Sequence, residues 1–200
     1  MPAHKAPSAN IILCTLNAKY IHASLGLRYL MANMARHGDE NLTDQTTLIE
    51  FTLARPLSEM LEQLLKTLGD DSEGQVQVIG FGVYIWNVLQ TTELVRMLKA
   101  VRPQLKIILG GPEVSHETDQ QEIVQLADHV ITGWGDVSFP KLCTQLVHGP
   151  QPLMNCEMNV MARVITIDTT VDTIPADILP LVSKAVKRFS LELLAVFRSM

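Results

Sequence analysis

The run Ile107-Ile-Leu-Gly110-Gly111-Pro112-Glu113-Val114-Ser115 ends an apolar stretch on two residues without a Cβ, then a proline. Glycine lets backbone approach a bulky flat ligand, or enter a turn closed to other residues. Three further segments carry side chains able to do chemistry. Leu16-Asn-Ala-Lys-Tyr-Ile-His-Ala-Ser-Leu-Gly26 offers Asn17, Lys19, Tyr20 and His22 as ligand contacts, with His22 a candidate axial metal ligand. Its bland reading is a helix cap from Ser24 or Asn17. Gly80-Phe-Gly82-Val-Tyr84-Ile-Trp86-Asn87 places two small residues inside a strand, which implies close approach of another backbone or a ligand. Tyr84 and Trp86 at its end supply either core packing or the surface a large flat cofactor needs. Thr132-Gly133-Trp134-Gly135-Asp136 fits an anion-binding nest before a helix, although Asp136 would repel a phosphate and fits a cap better.

Many reactions lack their groups here. There is no Gly-x-x-x-x-Gly-Lys-Ser/Thr loop, no Gly-x-Gly-x-x-Gly after the first strand and no Gly-x-Ser-x-Gly around Ser24. His-x-x-x-His spacing is absent, and no metal ligands are assigned. Glu113 and His116 are the remaining acid–base pair, on which a small-molecule enzyme would depend. The three cysteines, Cys14, Cys143 and Cys156, are scattered, and Cys14 and Cys143 sit in apolar patterns that read as buried thiols. Without Cys-x-x-Cys spacing they build neither a zinc knuckle nor an iron–sulfur cluster.

The elements that position these loops follow from apolar periodicity. Strands are predicted over 11–16, 47–53, 76–83, 106–109 and 129–132, and helices over 24–37, 57–68, 88–101, 117–127 and 139–147. Strict alternation with short connections gives parallel strands and right-handed crossovers. The expected fold is a flavodoxin-like (Rossmann-like) α/β domain, a doubly wound five-stranded parallel sheet of order 2-1-3-4-5. In such a sheet every strand-to-helix loop lies on one edge, where ligands bind. This domain is assigned to residues 1–150. Residues 151–200 read as connector and tail: a strand within 160–167, a Pro-rich connector over 169–180 and a helix within 183–197. The tail is too small for its own core and must dock on the first domain, remain mobile or pair with another chain, which makes it a candidate homodimer element.

The chain has 200 residues, 47% hydrophobic and 18% charged, as expected of an ordered globular protein. A net charge of −5 without a basic stripe argues against nucleic-acid binding. The polar lead is no secretory signal and no apolar run spans a bilayer, so the default location is cytoplasmic.

Taken together and in order, these loops resemble the N-terminal cobalamin-binding domain of cobalamin-dependent radical S-adenosylmethionine enzymes. Thr15 to Leu30 looks like that family's first strand–loop–helix, Gly80 to Asn87 its third strand and loop, Gly110 to Ser115 its fourth, and Val130 to Phe139 its Gly-Glu-Gly-Glu stretch. The resemblance covers roughly residues 10–175. It implies a corrin ring held over the carboxyl edge of the sheet. The nucleotide tail would enter beside the fourth and fifth strands, near the Gly-Gly turn. The implied cofactor contacts are Asn17, Lys19, Tyr20, His22, Gly82, Tyr84, Trp86, Gly110, Gly111, Pro112, Glu113, Gly133 and Gly135, with no catalytic residue. A side chain at Gly110 or Gly111 should then block the ligand and leave the fold intact.

Three departures limit the resemblance. The Asp-x-His-x-x-Gly signature is missing, so a histidine on cobalt is not implied; Trp134 stands where the family usually has Glu; and the Cys-x-x-x-Cys-x-x-Cys motif never appears. S-adenosylmethionine and a 4Fe-4S cluster would therefore belong to a downstream radical S-adenosylmethionine domain, the implied partner. The chain alone reads as a cofactor module, catalytically incomplete, of a parent enzyme such as a methyltransferase. The competing reading is a flavodoxin-like interaction or regulatory domain with no cofactor. Its phospho-receiver version is weakened by Asn17 and the Tyr84–Asn87 turn, which stand where acidic residues are needed.

Overall fold

The computed structural model describes residues 8–18, 23–71 and 75–149, and the backbone of residues 164–166. All described residues lie in one unit, Met1–Ile167. The expected tail helix and dimer element fall outside the described residues, as does Cys156.

The strands are β1 (Ser8–Asn17), β2 (Thr46–Thr52), β3 (Gln75–Gly82), β4 (Lys106–Gly110), β5 (His129–Thr132) and β6 (Val164–Thr166). The helices are α1 (Leu25–His37), α2 (Leu57–Leu68), α3 (Val88–Val101), α4 (Glu122–Leu126) and α5 (Gly135–His148). All strand pairs are parallel, in the order β2-β1-β3-β4-β5-β6. This is the expected 2-1-3-4-5 sheet, with a sixth strand added beside β5 from within the 160–167 segment.

Two cores follow from the period-2 alternation of buried strands. Ile12, Cys14, Leu16, Ile79, Phe81, Ile107 and Leu109 face α2, α3 and α4, together with Met60, Leu64, Leu94 and Ile123. Ile11, Leu13, Val78, Ile108 and Ile131 face α1 and α5, with Leu27, Met34, Phe139 and Leu142. Helices on both faces bury the sheet, so its strands read as continuous apolar runs.

The largest boundary differences from the sequence reading are at two helices. The helix expected over 117–127 is a 3-10 turn (Thr118–Gln120) followed by α4, because Glu117 takes a left-handed conformation (φ 51°) that breaks helical continuity. Helix α5 begins at Gly135 rather than 139 and runs through Pro140. A proline there removes one backbone hydrogen bond, but Pro140 is buried between Phe139 and Leu142, so packing outweighs the lost bond.

Candidate functional site

The carboxyl ends of β1 and β3 meet at the point where the strand order reverses, the place such sheets open a crevice. Their tips are fastened together by side chains. Thr15 Oγ1 donates to the Gly82 carbonyl at 2.9 Å. The Asn87 carboxamide donates to the carbonyls of Leu16 at 3.0 Å and Gly82 at 3.2 Å, and its oxygen accepts from the Tyr84 amide at 2.8 Å. Asn87 is fully buried, and this network satisfies it.

The turn held by Asn87 projects aromatic surface. Tyr84 and Trp86 stack with centroids 4.6 Å apart and 6° between planes. Trp86 is 46% exposed and its neighbour Ile85 76%. The Tyr84 hydroxyl lies toward α1, 3.6 Å from where a Cβ on Gly26 would stand. Burial holds the phenol above its usual pKa, with the Ser24 side chain pulling the other way. At the tip of β5, Trp134 is 55% exposed.

The first loop is closed at its base by Glu50 of β2. Its carboxylate accepts from the Ser24 amide at 2.5 Å and from Asn17 Nδ2 at 3.4 Å, and pairs with Arg28 at 2.7 Å. Ser24 also caps α1, its hydroxyl accepting from the Leu27 amide at 3.4 Å. Lys19, Tyr20 and His22 lie outside the described residues.

The glycines separate into different roles. A Cβ on Gly111 (φ 114°) would stand 2.4 Å from the Val83 carbonyl oxygen. That glycine is therefore demanded by the fold, and the expectation that a side chain there leaves the fold intact is corrected. Gly80 has its space filled by the Phe139 ring, 2.5 Å from a Cβ position, so a side chain rather than a ligand explains it. Gly82 meets Leu27 and Thr15 at ordinary contact distance. Gly110 is different: its nearest neighbour is the Ile131 carbonyl oxygen at 3.8 Å. Gly133 (φ 80°) has nothing within 4 Å, and Gly135 only Leu30 at 3.4 Å. Gly80, Gly82 and Gly110 share the sheet face covered by α1 and α5, so this small-residue row is open at the carboxyl edge and shut below by Phe139.

The remaining expected contacts are dispersed. Pro112 is exposed and opens a 3-10 turn, Pro112–Val114. Glu113 borders a groove of about 540 Å³ between α3 and the segment after β4, with Glu93, Glu117, Glu122 and Arg96 on its walls. Arg96 pairs with Glu93 and Glu122, and these partners raise its pKa. So acidic a wall disfavours an anionic ligand. His116 is not on that wall, so no Glu113–His116 pair converges there. A smaller hollow of about 190 Å³ around Gln75, Gln77 and Lys106 lies at the amino ends of the strands, away from the site. Asp136 does not cap α5: Trp134 holds the cap position, and Asp136 sits in the first turn, where its charge suits the helix dipole.

Asn87 was readable as a helix cap from its place before Val88, but not as a bracket between strands. Among the described residues no group of three His, Cys, Asp or Glu side chains could hold a metal ion. Cys14 and Cys143 are buried in opposite cores, which raises both thiol pKa values. No helix among the described residues is long and apolar enough to cross a membrane.

The exposed rings of Trp86 and Trp134 and the open positions Gly110 and Gly133 all lie at the carboxyl ends of the strands. No curated protein matches the chain. The family model of the B12 binding domain matches residues 12–143, from β1 into α5. The chain belongs to the B12 binding domain family.

Proposed function

We propose that this chain binds cobalamin across the carboxyl edge of its sheet and presents it to a radical S-adenosylmethionine domain. The observation that carries the binding reading is the uncovered ring surface of Trp86 and Trp134 at the edge where Gly110 and Gly133 leave open space. Tyr84, Trp86 and Trp134 would flank the corrin, and Gly110, Gly133 and Gly135 would admit the start of the nucleotide tail. Asn17, Lys19, Tyr20 and His22 would border the ring from the first loop. When bound, the group supplies a cobalt centre able to carry a methyl group. The chain's own residues would hold and orient the ring at the edge of the sheet.

The radical S-adenosylmethionine association rests on the ordered four-loop resemblance. Cys14 and Cys143 lie on opposite faces of the sheet, so they do not join in one cluster; the iron–sulfur ligands would come from the partner domain. Methyl transfer is the reaction class this arrangement suits.

The test is titration with hydroxocobalamin and methylcobalamin followed by gel filtration. A protein peak carrying corrinoid absorbance is expected. A colourless peak under saturating conditions overturns the reading in favour of an interaction domain without cofactor. A Cys-x-x-x-Cys-x-x-Cys motif in the DNA adjoining the gene supports the radical partner, and its absence there removes that partner.

A further inference from the structure

Asn87 stands at the N-cap of α3, where an asparagine ordinarily turns its side chain forward to the free amides of the first turn. Here it makes no such bond. Its carboxamide points back into the sheet, donating to Leu16 and Gly82 and accepting from Tyr84, while its own amide donates to the Tyr84 carbonyl at 2.9 Å. The helix forgoes a cap, and the side chain instead spans the tips of β1 and β3. An amide side chain suits this place, because it donates to two carbonyls and accepts from one backbone amide at once. The turn so fixed contains Tyr84, Ile85 and Trp86, with Tyr84 and Trp86 stacked 4.6 Å apart.

We infer that Asn87 is a positioning residue for the cofactor site: it sets the Tyr84–Trp86 stack at the height and tilt at which a corrin ring meets it. This rests on the cobalamin reading, but the stack itself can be followed without cobalamin.

The test uses the full chain with Asn87→Asp and Asn87→Ala. Asp keeps the acceptor for the Tyr84 amide but sets a carboxylate against two carbonyls. In a Trp134→Phe background Trp86 is the remaining tryptophan, so fluorescence and near-ultraviolet circular dichroism of the cobalamin-free protein read its stacking. Both Asn87 variants should lose the stacked Trp86 signature while far-ultraviolet dichroism is retained. In the chain with both tryptophans, hydroxocobalamin affinity should fall at least tenfold. Leu68→Ala, in α2 at the opposite end of the sheet, controls for general destabilisation. An equal loss of affinity in Leu68→Ala at matched stability overturns the inference. So does an unchanged Trp86 signature, or affinity within threefold of the parent. If Asn87→Ala does not fold, Asn87→Asp decides alone. Absence of corrinoid binding by the parent chain overturns the cobalamin reading instead, and the Trp86 signature still decides whether Asn87 sets the stack.

Discussion

The backbone of Val83 occupies the place a side chain on Gly111 would need, with its carbonyl oxygen 2.4 Å from the would-be Cβ. The Val83 amide donates to the Gly110 carbonyl at 2.7 Å, which draws the end of β3 against the Gly-Gly turn. Adjacent glycines thus have separate reasons. Gly111 serves chain packing and a left-handed φ; Gly110 serves open space.

The corresponding variants should separate. Gly111→Ala adds both a clash with backbone and a strained φ, and should cost about 3 kcal/mol. Gly110→Ala should change stability by less than about 1 kcal/mol and act on corrinoid affinity alone. Urea denaturation midpoints with parallel hydroxocobalamin titrations check both. Equal destabilisation by the two would contradict the assignment.

How legible this was depended on whether the cause is local. The ends of α2 and α3 were readable because Leu57, Met60, Leu61 and Leu64 repeat at helical spacing and Pro56 and Pro103 mark boundaries. Parallel pairing followed from alternation, and five short strand–helix units suited the order 2-1-3-4-5 that the sheet shows. Gly110 and Gly111 look identical in sequence, since what tells them apart is Val83, far along the chain. Asn87 carries a cap's signature but bonds strands, a tertiary effect that overrides a local preference. The start of α5 was hidden by Pro140, a breaker by propensity that burial makes tolerable.

The aromatic rim should matter to ligand and little to fold. Trp86→Ala removes the stack on Tyr84, worth about 1 kcal/mol of stability. Trp134→Ala loses a ring that is 55% exposed and should leave the thermal midpoint nearly unchanged. Each should weaken hydroxocobalamin binding about tenfold, or about 1.4 kcal/mol. Absorbance titration reads this, and unaltered affinity in both would remove the rim from the site.

Glu50 holds both ends of the first loop, so its loss should act on that loop before the rest. Glu50→Ala strips acceptors from the Ser24 amide, Asn17 and Arg28, and should cost about 2 kcal/mol. Glu50→Gln keeps an acceptor and should cost about half as much. Tryptic cleavage after Lys19 should quicken several-fold in Glu50→Ala under native conditions. Cleavage at the parent rate would show that the loop is anchored elsewhere.

Asp128 contributes to stability against acid. Burial pushes its carboxyl pKa up, but the Ile107 amide at 2.8 Å, Lys99 at 2.5 Å and Lys106 at 3.4 Å outweigh this and hold it below the usual value. A group whose folded pKa is depressed adds stability that is complete above the unfolded value, near pH 4, and lost as pH falls through the folded one. Asp128→Asn keeps an acceptor for Ile107 but forfeits the attraction of both lysines, and should cost about 1 kcal/mol at pH 7. The difference between parent and variant should shrink as pH drops from 5 to 3. Urea midpoints at pH 7, 5 and 3 measure it. A gap that stays constant across this range would mean that the lysines contribute nothing through charge, leaving Asp128 only as an acceptor that ties β5 to β4.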